Sequence, residues 1–148
     1  MWGADSDDIL DLEVSPEIKH AASVLEKAGE QIALDSLPLK RLEALCGMKC
    51  FRDIQDVWNM SSSKKRDTLA CVEQCEAPME ALGEVIESER DKILEGATSC
   101  VESCPPNDEN CMNRCIGSSL SQPAVNSMLD RVRSSIQGYR LDPRFQDM

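Results

Sequence analysis

Aromatic residues are scarce in this chain: Trp2, Phe51, Trp58, Tyr139 and Phe145 make up 3% of 148 residues. A chain so poor in large rings buries little area per residue, and thin helical layers are marginal on apolar burial alone. Histidine is nearly missing too. His20 is the single one, so any Cys–His or Ser–His catalysis would have to use it. Its neighbours Lys19 and Ala21 place it on a polar-flanked helix far in sequence from every cysteine, which reads as a surface histidine. Positive charge is in deficit, with 16 Lys and Arg against 27 Asp and Glu and a net charge of −11. That balance argues against nucleic-acid binding, which needs basic surface to replace counterions. The one basic run, Lys64-Lys65-Arg66, reads as a solvated helix start, or else as a contact for an acidic partner or lipid headgroup. No stretch reaches the roughly 18 apolar residues of a membrane span. The seven glycines are scattered, so no phosphate-cradling loop is present. Nor does any segment alternate as a strand would.

Cysteine is what the chain has in excess. Eight cysteines fall in four pairs of identical spacing, Cys46/Cys50, Cys71/Cys75, Cys100/Cys104 and Cys111/Cys115. Residues i and i+4 of a helix share a face, with Cβ atoms about 5–6 Å apart. A disulfide needs roughly 3.5–4.5 Å between them. The two members of a pair are therefore badly placed to bond each other and well placed to bond a matching pair on a facing helix. In an antiparallel hairpin, bonded partners are equidistant from the turn. Cys46 with Cys75 and Cys50 with Cys71 share a centre between Met60 and Ser61, inside the polar run Asn59-Met60-Ser61-Ser62-Ser63. Cys100 with Cys115 and Cys104 with Cys111 share a centre between Asn107 and Asp108, inside Pro105-Pro106-Asn107-Asp108. Serines cap helices, and a proline pair followed by Asn-Asp turns the chain. Spacing and turn chemistry thus predict an all-α fold: two disulfide-stapled antiparallel hairpins sharing one long central helix, plus an N-terminal helix.

The periodicity assigns an acidic arm to residues 1–14, an N-terminal helix and linker to 15–37, the twin hairpin domain to 38–138 and a tail to 139–148. Ser15-Pro16 starts the first helix, with Ile18, Ala21, Ala22, Leu25, Ala28, Ile32 and Ala33 at helical spacing. After Asp35-Ser36-Leu37-Pro38 a second helix is expected to about Trp58, with Leu42, Leu45, Cys46, Cys50, Ile54 and Val57 facing inward. The central helix is expected from about Lys64 to Ser103, with a stripe through Leu69, Cys71, Val72, Cys75, Met79, Leu82, Ile86, Ile93, Ala97, Cys100 and Cys104 and exposed Glu73, Glu80, Glu84, Glu87 and Glu95. Pro78 inside it predicts a kink near Gln74. With a ladder near each end, the rod implies an extended, Z-like object. The last helix, from about Asn110, is expected to weaken at Gly117, Ser118, Ser119 and Ser121 and to resume from Pro123 through Val125, Met128, Leu129, Val132 and Ile136, with Gly138 as its stop.

Other chemistries have weaker claims on the cysteines. A zinc site tolerates this spacing, but each ion would draw thiolates from two helices, and the paired ladders need no metal. Redox dithiols usually have two residues between cysteines at the start of a helix in a βα unit; neither feature is present. The expectation is no catalytic residue, no cofactor and no metal. Disulfides persist in oxidising compartments. Residues 1–14 carry Asp5, Asp7, Asp8, Asp11 and Glu13 and no basic residue, unlike a secretory signal or a matrix presequence. A leaderless or already processed disulfide-rich helical chain points to the mitochondrial intermembrane space.

The run Cys71-Val72-Glu73-Gln74-Cys75-Glu76-Ala77-Pro78, followed by Cys100-Val101-Glu102-Ser103-Cys104, resembles the eukaryotic "family with sequence similarity 136" proteins. They are similar in having four Cys-x3-Cys pairs, a proline three residues after the second and a long acidic helix before the third. Pro123 also has a family counterpart. The gap between Cys104 and Cys111 is shorter than in that family, the gap between Cys50 and Cys71 longer, and residues 1–37 additional. The resemblance implies an intermembrane-space protein of poorly defined molecular function, and it implies no enzymatic activity. The small translocase chaperones of that compartment also pair Cys-x3-Cys motifs, with one hairpin per chain. The expected role is a non-catalytic accessory subunit of an inner-membrane oxidative-phosphorylation complex (respiratory chain or ATP synthase), facing the intermembrane space. Its partners would be the protein subunits of that assembly, with no nucleic acid, transmembrane span or small-molecule substrate. The alternative is a chaperone or assembly factor with an apolar groove along Met79, Leu82, Ile86 and Ile93.

Overall fold

Four of the five described α-helices begin where a short polar side chain offers its oxygen to the orphan N–H groups of a first turn. A computed structural model of the chain describes residues 15–143; the acidic arm expected over 1–14 and the tail residues 144–148 lie outside them. Helix α1 (Pro16–Asp35) starts with the Ile18 N–H donating to Ser15 Oγ at 3.3 Å, and Pro16 has no N–H to leave unpaired. Its buried face is Ala21, Val24, Ala28 and Ile32. Helix α2 (Leu37–Cys50) follows almost at once. Pro38, without an N–H and with a ring that clashes one turn back, stops the α1 hydrogen-bond ladder from continuing.

Helix α2 ends at Cys50, not near Trp58. The Phe51 and Arg52 N–H groups bond to Met48 and Lys49 carbonyls at 3.2 and 3.3 Å, a tighter winding that closes the helix. The Asp56 carboxylate then accepts from the Trp58 N–H at 3.1 Å and from the Asn59 side-chain amide at 2.6 Å. This local bonding organises a separate 3-10 turn, Val57–Asn59, in competition with helix. Ile54 and Val57 therefore do not extend the inner face of α2, and Val57 is exposed.

Helix α3 (Ser62–Glu102) is capped by Ser61, whose Oγ accepts from the Lys64 N–H at 3.2 Å. It runs through Pro78. The proline forfeits one backbone hydrogen bond, and its ring is among the most deeply buried side chains, which offsets that loss. The five expected solvent-face glutamates are exposed, but Leu69 is exposed as well, and Thr68 beside it is buried. After α3 the Asp108 N–H reaches the Pro105 carbonyl at 3.2 Å, with Asn107 at φ 63°. Proline then a left-handed Asn is the residue order a type II turn requires. Asp108 caps helix α4 (Glu109–Ser119) by accepting from the Cys111 N–H at 3.1 Å. Ser121 caps helix α5 (Gln122–Tyr139) through the Ala124 N–H at 3.4 Å. Gly138 lies inside α5 with no left-handed φ, so it is not the stop expected of it.

No strand occurs among the described residues, and the fold is all-α, with disulfides joining helices. Two compact units are distinguished. The first comprises described residues up to Leu34 together with Ile86–Val132. Its buried side chains come from α1, from Cys115 and Leu120, and from Val125, Met128, Leu129 and Val132 of α5. Buried Glu89 accepts from Arg131 Nε at 2.7 Å in the same unit. The second comprises Asp35–Val85 and described residues from Arg133 onward. It buries Leu39, Cys75, Pro78 and Leu82. In it Arg133 Nε donates to Asp35 at 2.7 Å.

Candidate functional site: two disulfide ladders

Helical spacing sets the chemistry of this site, because each Cys-x3-Cys pair projects two sulfurs from one face a turn apart. In the second unit, Cys46 bonds Cys75 and Cys50 bonds Cys71, with Cα–Cα distances of 5.6 and 5.8 Å. In the first unit, Cys100 bonds Cys115 and Cys104 bonds Cys111, at 5.5 and 5.8 Å. All four separations suit an unforced bridge. No cysteine is free.

Within each ladder the rungs stack. Cys50 Sγ lies 3.7 Å from Cys75 Sγ, and Cys104 Sγ 3.7 Å from Cys115 Sγ. Bridged sulfurs carry no proton, so these are van der Waals contacts between rungs. The same stacking brings Cys50, Cys71 and Cys75 together, and likewise Cys104, Cys111 and Cys115, with sulfurs inside 4.8 Å. Three sulfurs so close have the look of a zinc cluster. A zinc ligand is a thiolate, however, and a bridged sulfur has none to offer. The sulfurs here act as covalent braces between helices.

The other candidates are dispersed. His20 is exposed on α1, and Lys64, Lys65 and Arg66 are exposed on the first turn of α3. Of the four residues expected to line a client groove, Leu82 is buried at 1% exposure, and Met79, Ile86 and Ile93 are half-buried. The apolar side chains that do meet solvent lie elsewhere, with Trp58 at 92% the most exposed of them. Composition showed that Trp58 was rare but not that it protrudes. The Glu89–Arg131 pair joins residues 42 apart in sequence, and no local signal connects them. No described helix is long and apolar enough to cross a membrane. A cavity of about 320 Å³ in the second unit is lined by Leu39, Leu42, Ile136 and Tyr139 among others. Asp35, Gln137 and Arg140 line it as well.

No protein-family model, no curated protein and no solved structure matches this chain.

Proposed function

We propose that this chain is a structural brace: a non-catalytic accessory subunit of a mitochondrial inner-membrane oxidative-phosphorylation complex, facing the intermembrane space. The observation that carries the reading is that all eight cysteines join helices in two stacked ladders, with none left free. Such a set is stable only in an oxidising compartment, and bridged sulfurs supply neither a nucleophile nor a metal ligand. The resemblance of the Cys71–Pro78 and Cys100–Cys104 segments to an intermembrane-space family supports the compartment. Exposed apolar side chains, among them Leu34, Leu37, Met48 and Leu141, support a role that ends in contact with other proteins.

The test is migration of the native, tagged chain on gradients and native gels after mild detergent extraction of mitochondria. Co-migration with one large inner-membrane assembly is expected. A chain that runs only as a free monomer defeats the subunit reading. Cross-linking to many transient clients would favour the chaperone class instead.

A further inference from the structure

The charge of this chain is distributed unevenly. Residues 40–66 hold seven of its sixteen basic residues, Lys40, Arg41, Lys49, Arg52, Lys64, Lys65 and Arg66, against three acids, Glu43, Asp53 and Asp56. That segment is net +4 in a chain of net −11, leaving −15 on the rest. All seven basic side chains are exposed. Among the described residues none of the seven has an ion-pair partner, whereas Arg90, Lys92, Arg131 and Arg133 each do. Two of the seven, Lys64 and Lys65, lie in the first turn of α3, which holds no acidic residue, and Arg66 follows them. The positive end of the helix dipole disfavours cations in that turn.

Apolar side chains protrude within the same segment. Trp58 is 92% exposed, Met48 70%, Val57 53% and Phe51 43%. The backbone at Trp58 is held locally. Asp56 fixes the 3-10 turn through the Trp58 N–H and the Asn59 amide, and the Cys50–Cys71 bridge ties the two ends of the loop. A largely exposed indole in a segment rich in exposed cations matches the demands of a bilayer surface. Tryptophan favours the headgroup layer, and Lys and Arg are drawn to anionic lipid.

We infer that the tip of the first hairpin, residues 48–66, docks on an anionic lipid surface, with Trp58 entering the headgroup layer and Lys49, Arg52, Lys64, Lys65 and Arg66 facing lipid phosphates. The inference goes beyond the brace reading and does not rest on it: its test uses purified protein and lipid only.

The experiment is vesicle flotation of the oxidised full-length chain. It compares phosphatidylcholine vesicles with vesicles containing about 20 mol% phosphatidylglycerol, a content that gives an anionic surface potential. The bound fraction should be at least about fivefold higher on the anionic vesicles and fall steeply with added salt. Trp58→Ala should lower it by about fivefold or more, because the apolar contribution is lost. The triple change Lys64→Ser, Lys65→Ser, Arg66→Ser should lower it as well. These positions are exposed, and unchanged circular dichroism checks that each variant is folded. In a Trp2→Phe chain, Trp58 emission should shift to the blue on anionic vesicles, a readout that does not depend on the other variants. Absence of flotation, equal binding to neutral vesicles, or full binding by Trp58→Ala overturns the proposal. So does retention on polyglutamate without vesicle binding, which would assign the tip to an acidic protein.

Discussion

Glu89 is the one carboxylate among the described residues that the fold removes from water. Its side chain is 7% exposed, against 53% for Arg131 and 66% for Lys92, which lies 3.5 Å away. This asymmetry sets what each substitution does. Arg131→Met leaves a desolvated charge with only the looser Lys92 contact, and a loss of about 1–3 kcal/mol is expected. Glu89→Gln keeps the shape and returns a half-exposed guanidinium to water, so it should cost less, since exposed partners of an ion pair contribute little. Urea midpoints of the two variants check the order; a larger loss for Glu89→Gln would refute it. At this scale the cysteine identities and the caps at Ser15 and Ser61 could be read directly, because both act through neighbours a few positions away; the cap at Ser121 could not. Buried Thr68 and exposed Leu69 could not be. Their hydropathy points the opposite way, and which of two adjacent residues faces inward depends on what lies opposite.

For the helices, the ladders predict a measurable non-additivity. The Cys50–Cys71 rung closes a loop nested inside that of Cys46–Cys75, with sequence separations of 21 and 29. In the chain-entropy account the inner rung alone contributes about 3.3 kcal/mol, and the outer, closing only about eight further residues, about 2.5 kcal/mol. Removing the inner rung alone leaves a larger loop still closed and costs about 2.2 kcal/mol. The double removal should therefore cost about 1 kcal/mol more than the two single removals summed. Cys→Ser pairs compared by thermal melts test this, and strict additivity would refute the nested account. Element existence was legible because turn chemistry and cysteine symmetry pointed to the same two places. The early end of α2 was not. Asp56 looks like any acidic residue in sequence, and its role as a local organiser appears only when its carboxylate meets Trp58 and Asn59.

At the scale of the whole molecule, the thiol state is the property to measure. Denatured without reductant, the chain should take up no alkylating reagent. After reduction it should gain eight hydrogens and then eight alkyl groups, one for each of its eight cysteines. Reduction should also lower the melting temperature sharply, since a protein with few aromatic residues has little apolar burial to fall back on. Alkylation of the untreated protein at any cysteine, checked by intact mass, would break the braced picture.

The helices, their turns and the pairing geometry of the sulfurs follow from patterns that repeat every three or four residues, because a helix and its caps are governed by near neighbours. Which leucine is hidden and which carboxylate is buried are decided by contacts between residues distant in the chain. Those contacts exist only after the helices have packed, so their outcome resides in the tertiary structure.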